Sequence, residues 1–219
     1  MKIGMRRLQL FILLFAASSL LFQLPSEAFA STPSDITATD AVTDLRCFHL
    51  TCELNGAIRV DTFTIGGSTY AIVLGLVDDG VQIIDISDPT NIDTNIDRET
   101  DEANGFTALE SPRDLDVFTI GSSTYAIVVN AINDEIQMID ISDPTDIVAT
   151  DAETNGENGF TMMDGPHGVD TFTIGDSTYA IIVSYQPPDE GIQIVDISDP
   201  ADIVAKDTLA DTDSLRLDD

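Results

Sequence analysis

Few residues of the chain have types and spacing that suggest chemistry, and they fall into four groups. The first is Arg46-Cys47-Phe48-His49-Leu50-Thr51-Cys52, which holds both cysteines of the protein. A lone pair of cysteines in an exported chain implies a disulfide, here Cys47 to Cys52 closing a short loop. Free thiols are the alternative. Zinc held by Cys47, His49 and Cys52 would need a fourth ligand and matches no usual ligand spacing. The second group is carboxylates: Asp85, Asp140 and Asp196, each followed three residues later by Asp88, Asp143 and Asp199. Paired acids can move protons, but each of these pairs sits at a strand end and a Pro turn. There Asp side chains accept hydrogen bonds from nearby backbone N–H groups. Asp61, Asp116 and Asp170, early in another strand, are read in the same way. A single active site has no need of triplicate acids, so the expectation is structural.

The third group is the polar connections Asp97 to Gly105 and Asp151 to Gly159, rich in Asp, Glu, Asn and Gly. Such loops can bind calcium, but the alternating Asp-x-Asp-x-Asp-Gly order is missing, so solvated loops are expected and calcium is the alternative. The fourth group is Ile58, Arg113 and His167, equivalent positions at which otherwise similar segments differ. A ligand-facing role for His167, between Pro166 and Gly168, would need a positioned partner to become catalytic. The chain has no Gly-x-Ser-x-Gly elbow, phosphate loop or dinucleotide fingerprint.

What must position these residues is a repeat. Val60-Asp61-Thr62-Phe63-Thr64-Ile65-Gly66 returns as Leu115 to Gly121 and again as Val169 to Gly175. Ser-Thr-Tyr-Ala-Ile follows each copy, at Ser68, Ser123 and Ser177. Gln82-Ile83-Ile84-Asp85-Ile86-Ser87-Asp88-Pro89 returns at Gln137 to Pro144 and Gln193 to Pro200. β-Branched and aromatic runs separated by Gly and Asp-Gly turns predict strands over 60–65, 69–74 and 81–86. Ser87-Asp88-Pro89-Thr90 predicts a type I turn. A fourth, outer strand is expected to start near Ile92, Ile147 and Ile203, with a long polar stretch after it. Strands apolar on both faces need cover on both faces, which a four-strand unit obtains by stacking on copies of itself, as propeller blades do.

Residues 1–30 read as a signal peptide: a basic start with Arg6-Arg7, an apolar run from Leu8 to Leu24, Pro25, then Ala28-Phe29-Ala30 before Ser31. A retained anchor is the alternative. After cleavage no membrane insertion is expected. The net charge of −30 excludes nucleic acid as a partner, because each phosphate contact needs a cation.

The segment Gly80-Val81-Gln82-Ile83-Ile84-Asp85-Ile86-Ser87-Asp88-Pro89, with its copies ending at Pro144 and Pro200, resembles the LVIVD-repeat family of bacterial and archaeal exported and cell-surface proteins. That resemblance covers roughly residues 54–211 and implies four-stranded propeller blades, a surface location and no shared catalytic motif. The expectation is therefore an all-β, propeller-type fold of three four-stranded antiparallel blades, forming an open or incomplete propeller. Its parts are the signal peptide 1–30, an N-terminal segment 31–53 and blades at about 54–108, 109–162 and 163–211. Residues 212–219 begin a fourth repeat. Three blades are fewer than the four to eight of closed propellers. A truncated propeller, an open arc and two self-associating chains in a six-bladed ring all fit that count. Functionally the sequence suggests a secreted or cell-surface module that binds protein or glycan partners without catalysis or cofactor. An exported enzyme, or a small-ligand or calcium binder using the channel end, is the alternative.

Overall fold

In a computed structural model of the chain, residues 40–41, 54–188 and 190–210 are described. The leader, both cysteines and residues 212–219 lie outside them. Among the described residues, twelve strands form three antiparallel sheets, each a four-strand meander. Blade 1 comprises β1 (Ala57–Ile65), β2 (Ser68–Gly75), β3 (Gly80–Asp85) and β4 (Asp93–Thr100). Blade 2 comprises β5 (Pro112–Ile120), β6 (Ser123–Asn130), β7 (Glu135–Asp140) and β8 (Val148–Thr154). Blade 3 comprises β9 (Pro166–Ile174), β10 (Ser177–Ser184), β11 (Gly191–Asp196) and β12 (Val204–Ala210). The first strands lie side by side, β1 on β5 and β5 on β9, so the sheets stack as consecutive blades of an incomplete propeller.

Local chemistry sets each hairpin. Gly66 and Gly67 turn the chain between β1 and β2 with φ of 61° and 92°, values that cost a residue without Cβ nothing. At the end of the third strand, Asp85 Oδ1 accepts the Ser87 N–H at 2.8 Å, and Asp140 and Asp196 do the same for Ser142 and Ser198. Ser87 Oγ accepts the Thr69 N–H and thus ties the turn to the second strand. Asp88 accepts the Thr90 hydroxyl at 2.6 Å. These bonds favour the ionised form and hold Asp85, Asp88, Asp143 and Asp196 below the ordinary 3.8. The Asp-Ile-Ser-Asp-Pro end is therefore turn chemistry in all three blades.

The core is between sheets. Phe63, Ile72, Leu74, Val81 and Ile83 of blade 1 bury against Leu115, Ala126, Val128, Ile139, Ile141 and Ile147 of blade 2. Phe118, Ile127, Val129, Ile136 and Met138 of blade 2 meet Ala180, Ile182, Val195, Ile197 and Ile203 of blade 3. Phe106 and Leu109, then Phe160 and Met163, plug the same interfaces from the connections between blades.

Carboxylates of one blade also reach backbone N–H groups of the next. Asp61 Oδ2 accepts from Val117 N at 3.1 Å, and Asp116 Oδ2 from Thr171 N at 2.8 Å. On the outer strands, Asp97 Oδ2 accepts from Ile147 N and Asp151 Oδ2 from Ile203 N, each at 2.7 Å. Asp97 and Asp151 were expected in solvated connections. The outer strands instead run on through Thr100 and Thr154, because each carboxylate has a backbone donor to satisfy across the interface. Asp61 and Asp116 likewise do more than local turn chemistry. Asp151→Ala leaves the Ile203 N–H without its acceptor and is expected to lower stability by about 1.5–3 kcal/mol. Ile139→Ala, a cavity in the first interface, is expected to cost about 2–5 kcal/mol. Urea unfolding of the two variants beside wild type checks both figures.

Candidate functional site at the loop end of the blades

The loops that join the second strand to the third, and one blade to the next, all lie at the end where the first strands begin. Their backbone is specified by repeated acids. Asp79, at φ 51°, accepts the Ser111 N–H at 2.8 Å, and Asp134, at φ 58°, accepts the Gly165 N–H at 2.7 Å. Buried Gln137 accepts from Thr107 N at 3.2 Å and Ala108 N at 3.3 Å, while Gln193 accepts from Thr161 N at 3.2 Å. Leu109 N donates to Asp101 and Met163 N to Asn155. The polar connections are thus held from both sides. Asp101 and Asn155 occupy the same place in successive blades, and no group of three or more His, Cys, Asp or Glu among the described residues could hold a metal ion.

The three positions singled out at this end separate. Ile58 packs, half-buried, against the cluster between blades 1 and 2, so it is part of the interface. Arg113 and His167 stand at equivalent positions on the adjacent strands β5 and β9, and no hydrogen bond joins them. Arg113 Nε is buried and has no hydrogen-bond partner among the described residues. His167 Nδ1 lies 3.1 Å from Gly165 O, and its ring meets Tyr185 edge-on with centroids 4.1 Å apart. Tyr185 is 58% exposed. Val77 and Ile132, on the corresponding loops of blades 1 and 2, are exposed as well. Tyr185 and this apolar row were missed in the sequence, where only a comparison of the loop tips themselves would have shown them. Cys47 and Cys52 fall outside the described residues.

Two carboxyl groups near this end are pushed above their ordinary values. Burial is the main cause for Glu135, with Asp101 and Glu110 adding repulsion and Thr154 and Asn133 opposing. Burial also dominates at Asp116, opposed by the Thr171 bonds and reinforced by Asp170 and Asp61. Neither has a second titratable group at bonding distance; both are raised mainly by burial, with nearby acids adding less.

No family model matches the chain, and no curated protein matches it. Solved structures do. A functionally unknown protein from Desulfotomaculum acetoxidans superimposes with a TM-score of 0.53 at 13% identity, over 71% of this chain and 43% of that one. A putative 6-phosphogluconolactonase from Bacteroides fragilis gives 0.49 at 12% identity, over 69% and 41%. A thermostable family-43 glycoside hydrolase gives 0.43 at 15% identity, over 68% and 54%. The chain thus spans about half or less of the length of these structures. What the likeness shows is the fold. It also corrects the expectation of a protein without catalysis: the solved structures similar to this chain include a putative 6-phosphogluconolactonase and a glycoside hydrolase, so the fold excludes no activity. Among the described residues no helix is long and apolar enough to cross a membrane.

Two outcomes follow from this geometry. Gly165→Ala would drive Cβ into the Gln186 side chain at a φ of +58°, which strains the backbone beside His167 and forces the Gln186 side chain, next to Tyr185, to move. The His167–Tyr185 ring contact, read from the ring-current shift of the His167 protons, is expected to be lost. The acids give the second, through the sign of each shift. Asp116 and Glu135, raised in the folded state, favour folding as pH falls through their raised values towards the unfolded ones. Asp85, Asp88, Asp143 and Asp196, lowered, stabilise above 3.8 and lose that contribution as pH falls through their folded values. In 1 M salt, which screens the general repulsion, the melting temperature is expected to rise slightly from pH 7 and to fall below about pH 4. Asp116→Asn with Glu135→Gln should remove the rise and keep the fall.

Proposed function

We propose that this is an exported or cell-surface propeller-type module, related to LVIVD-type repeats, that recognises a partner at the loop end of its blades. The observation that supports this reading is the exposed Tyr185 ring, braced by His167, on the blade next to an arginine with an unanswered donor. A flat ring that presents both an apolar face and a hydroxyl suits stacking on a sugar or on an interface side chain. Arg113, half-buried on the neighbouring strand, adds a cationic side chain, the type of convergent polar group that orients a ligand. The net charge of −30 disfavours polyanions at long range, which leaves a neutral glycan or a neutral or basic protein surface as the partner class, of which the exposed ring favours the glycan.

Calorimetric titration with a panel of neutral and uronate-bearing oligosaccharides tests this. Neutral members should bind, with Tyr185→Ala and Arg113→Ala each weakening the affinity about tenfold or more while the fold is unchanged. Binding that survives both substitutions, or that prefers the uronates, would place recognition elsewhere.

A further inference from the structure

The two ends of the blade stack are complementary to each other. In blades 1 and 2, the face turned to the next blade is fully buried: Leu74 and Val129 are both 0% exposed. Val183, the equivalent residue of blade 3, is 43% exposed, and Phe172, Ile181, Ile192 and Ile194 around it are only half-buried. The carboxylates on that face are open as well. Asp170 Oδ1 accepts from Thr171 N and Asp207 Oδ1 from Thr208 N, but neither Oδ2 has a partner among the described residues. Their counterparts Asp61, Asp116, Asp97 and Asp151 all use Oδ2 to grip the following blade.

The opposite end offers the matching half. Val60 on β1 is 62% exposed, where Leu115 at the same place on β5 is 7% exposed. Ala57, Ile58, Arg59, Val60 and Val73 line a shallow groove of about 230 Å³ there. Farther out, Ala71, Val73 and Ile84 correspond to the half-interface that blade 2 presents to blade 1, but here they are already buried, at 5–9% exposed, in a cluster with Leu54 and Ile92 that blade 3 of another copy would have to open. The two backbone donors that Asp170 and Asp207 would meet are Thr62 N and Ile92 N. Thr62 N already donates to Asp61 Oδ1 of its own strand, just as Thr171 N serves both its own Asp170 and the preceding Asp116. Ile92 N donates to Asp40 Oδ2 at 2.9 Å. Asp40 stands in Asp35-Ile36-Thr37-Ala38-Thr39-Asp40-Ala41, which repeats Asp146-Ile147-Val148-Ala149-Thr150-Asp151-Ala152 at six of its seven places. This chain thus supplies from its own N-terminal segment the carboxylate that an outer strand of a preceding blade would supply.

We propose that two copies of the chain associate head to tail, blade 3 of each on blade 1 of the other, closing a six-bladed ring. Asp170 and Asp207 of one copy take the Thr62 and Ile92 N–H groups of the other, and Asp40 is the stand-in that Asp207 replaces. Six lies within the four to eight blades of closed propellers, and both junctions repeat the two interfaces already present within the chain. The like charge of the copies opposes the contact, so salt should strengthen it.

The test is the mass of the purified full chain by sedimentation velocity, in 0.1 M and 1 M sodium chloride. Twice the chain mass, with a tighter dimer at 1 M, is the expected result. Asp170→Ala with Asp207→Ala should raise the dissociation constant at least tenfold, whereas Asp40→Ala should leave it unchanged or lower it. Val183→Lys, which charges the open face without touching the internal interfaces, should give single chains. A single-chain mass for wild type at both salt concentrations overturns the proposal. So does a dimer indifferent to Asp170→Ala with Asp207→Ala, or an open series of larger assemblies.

Discussion

Each sheet of this protein is apolar on both faces, and almost everything else in the structure answers that constraint. A sheet with Ile72, Leu74 and Ile83 on one face and Ala71, Val73 and Ile84 on the other cannot stand in water alone. Stacking supplies the cover, but apolar contact is non-directional and would let neighbouring sheets slide. The register between blades is fixed instead by carboxylates that accept single backbone N–H groups of the following sheet. Asp61 and Asp116 do so near the first strands, and Asp97 and Asp151 at the outer edge. At least two such bonds per interface, far apart, with Asp114 Oδ2 on Val169 N adding a third between blades 2 and 3, leave one relative position in which all are made.

This also explains how a chain of net charge −30 can hold acids between its sheets. Where a carboxylate is half-buried, as at Asp116, the backbone bond offsets part of the desolvation that burial imposes. Where it lies in a turn, as at Asp85 and Asp88, the bond comes without burial and the group stays readily ionised. One residue type thus serves as turn former, blade clamp and solvating surface.

The fold was legible because the repeat is nearly literal. Three copies of Phe-Thr-Ile-Gly, Ser-Thr-Tyr-Ala-Ile and Asp-Ile-Ser-Asp-Pro give strand number, turn type and blade length without any appeal to long-range contacts. The reach of the outer strands was not legible, since Asp93 to Thr100 is polar apart from Ile96 and carries no period-2 pattern. What makes it a strand is pairing with β3 together with the acceptor role of Asp97, and both are tertiary facts. At the loop end the sequence pointed to Arg113 and His167 because they break the repeat. It grouped Ile58 with them, although an isoleucine there simply packs, and it passed over Tyr185, whose neighbour His167 becomes apparent only once the loop has folded back. Asp40 was hidden in the N-terminal segment 31–53, singled out only for its cysteines, although the sequence around it repeats that around Asp151.

Inter-blade carboxylates, and not apolar contact alone, hold the blades in register. Amide hydrogen exchange of Val117, Ile147, Thr171 and Ile203 measures it most directly. With the clamps intact these four N–H groups should exchange as slowly as the ladder amides of β6 and β7. In Asp97→Ala, Ile147 should accelerate by at least an order of magnitude while Ile203 stays slow. Uniformly slow exchange in that variant, or fast exchange of all four amides in wild type, would contradict the account.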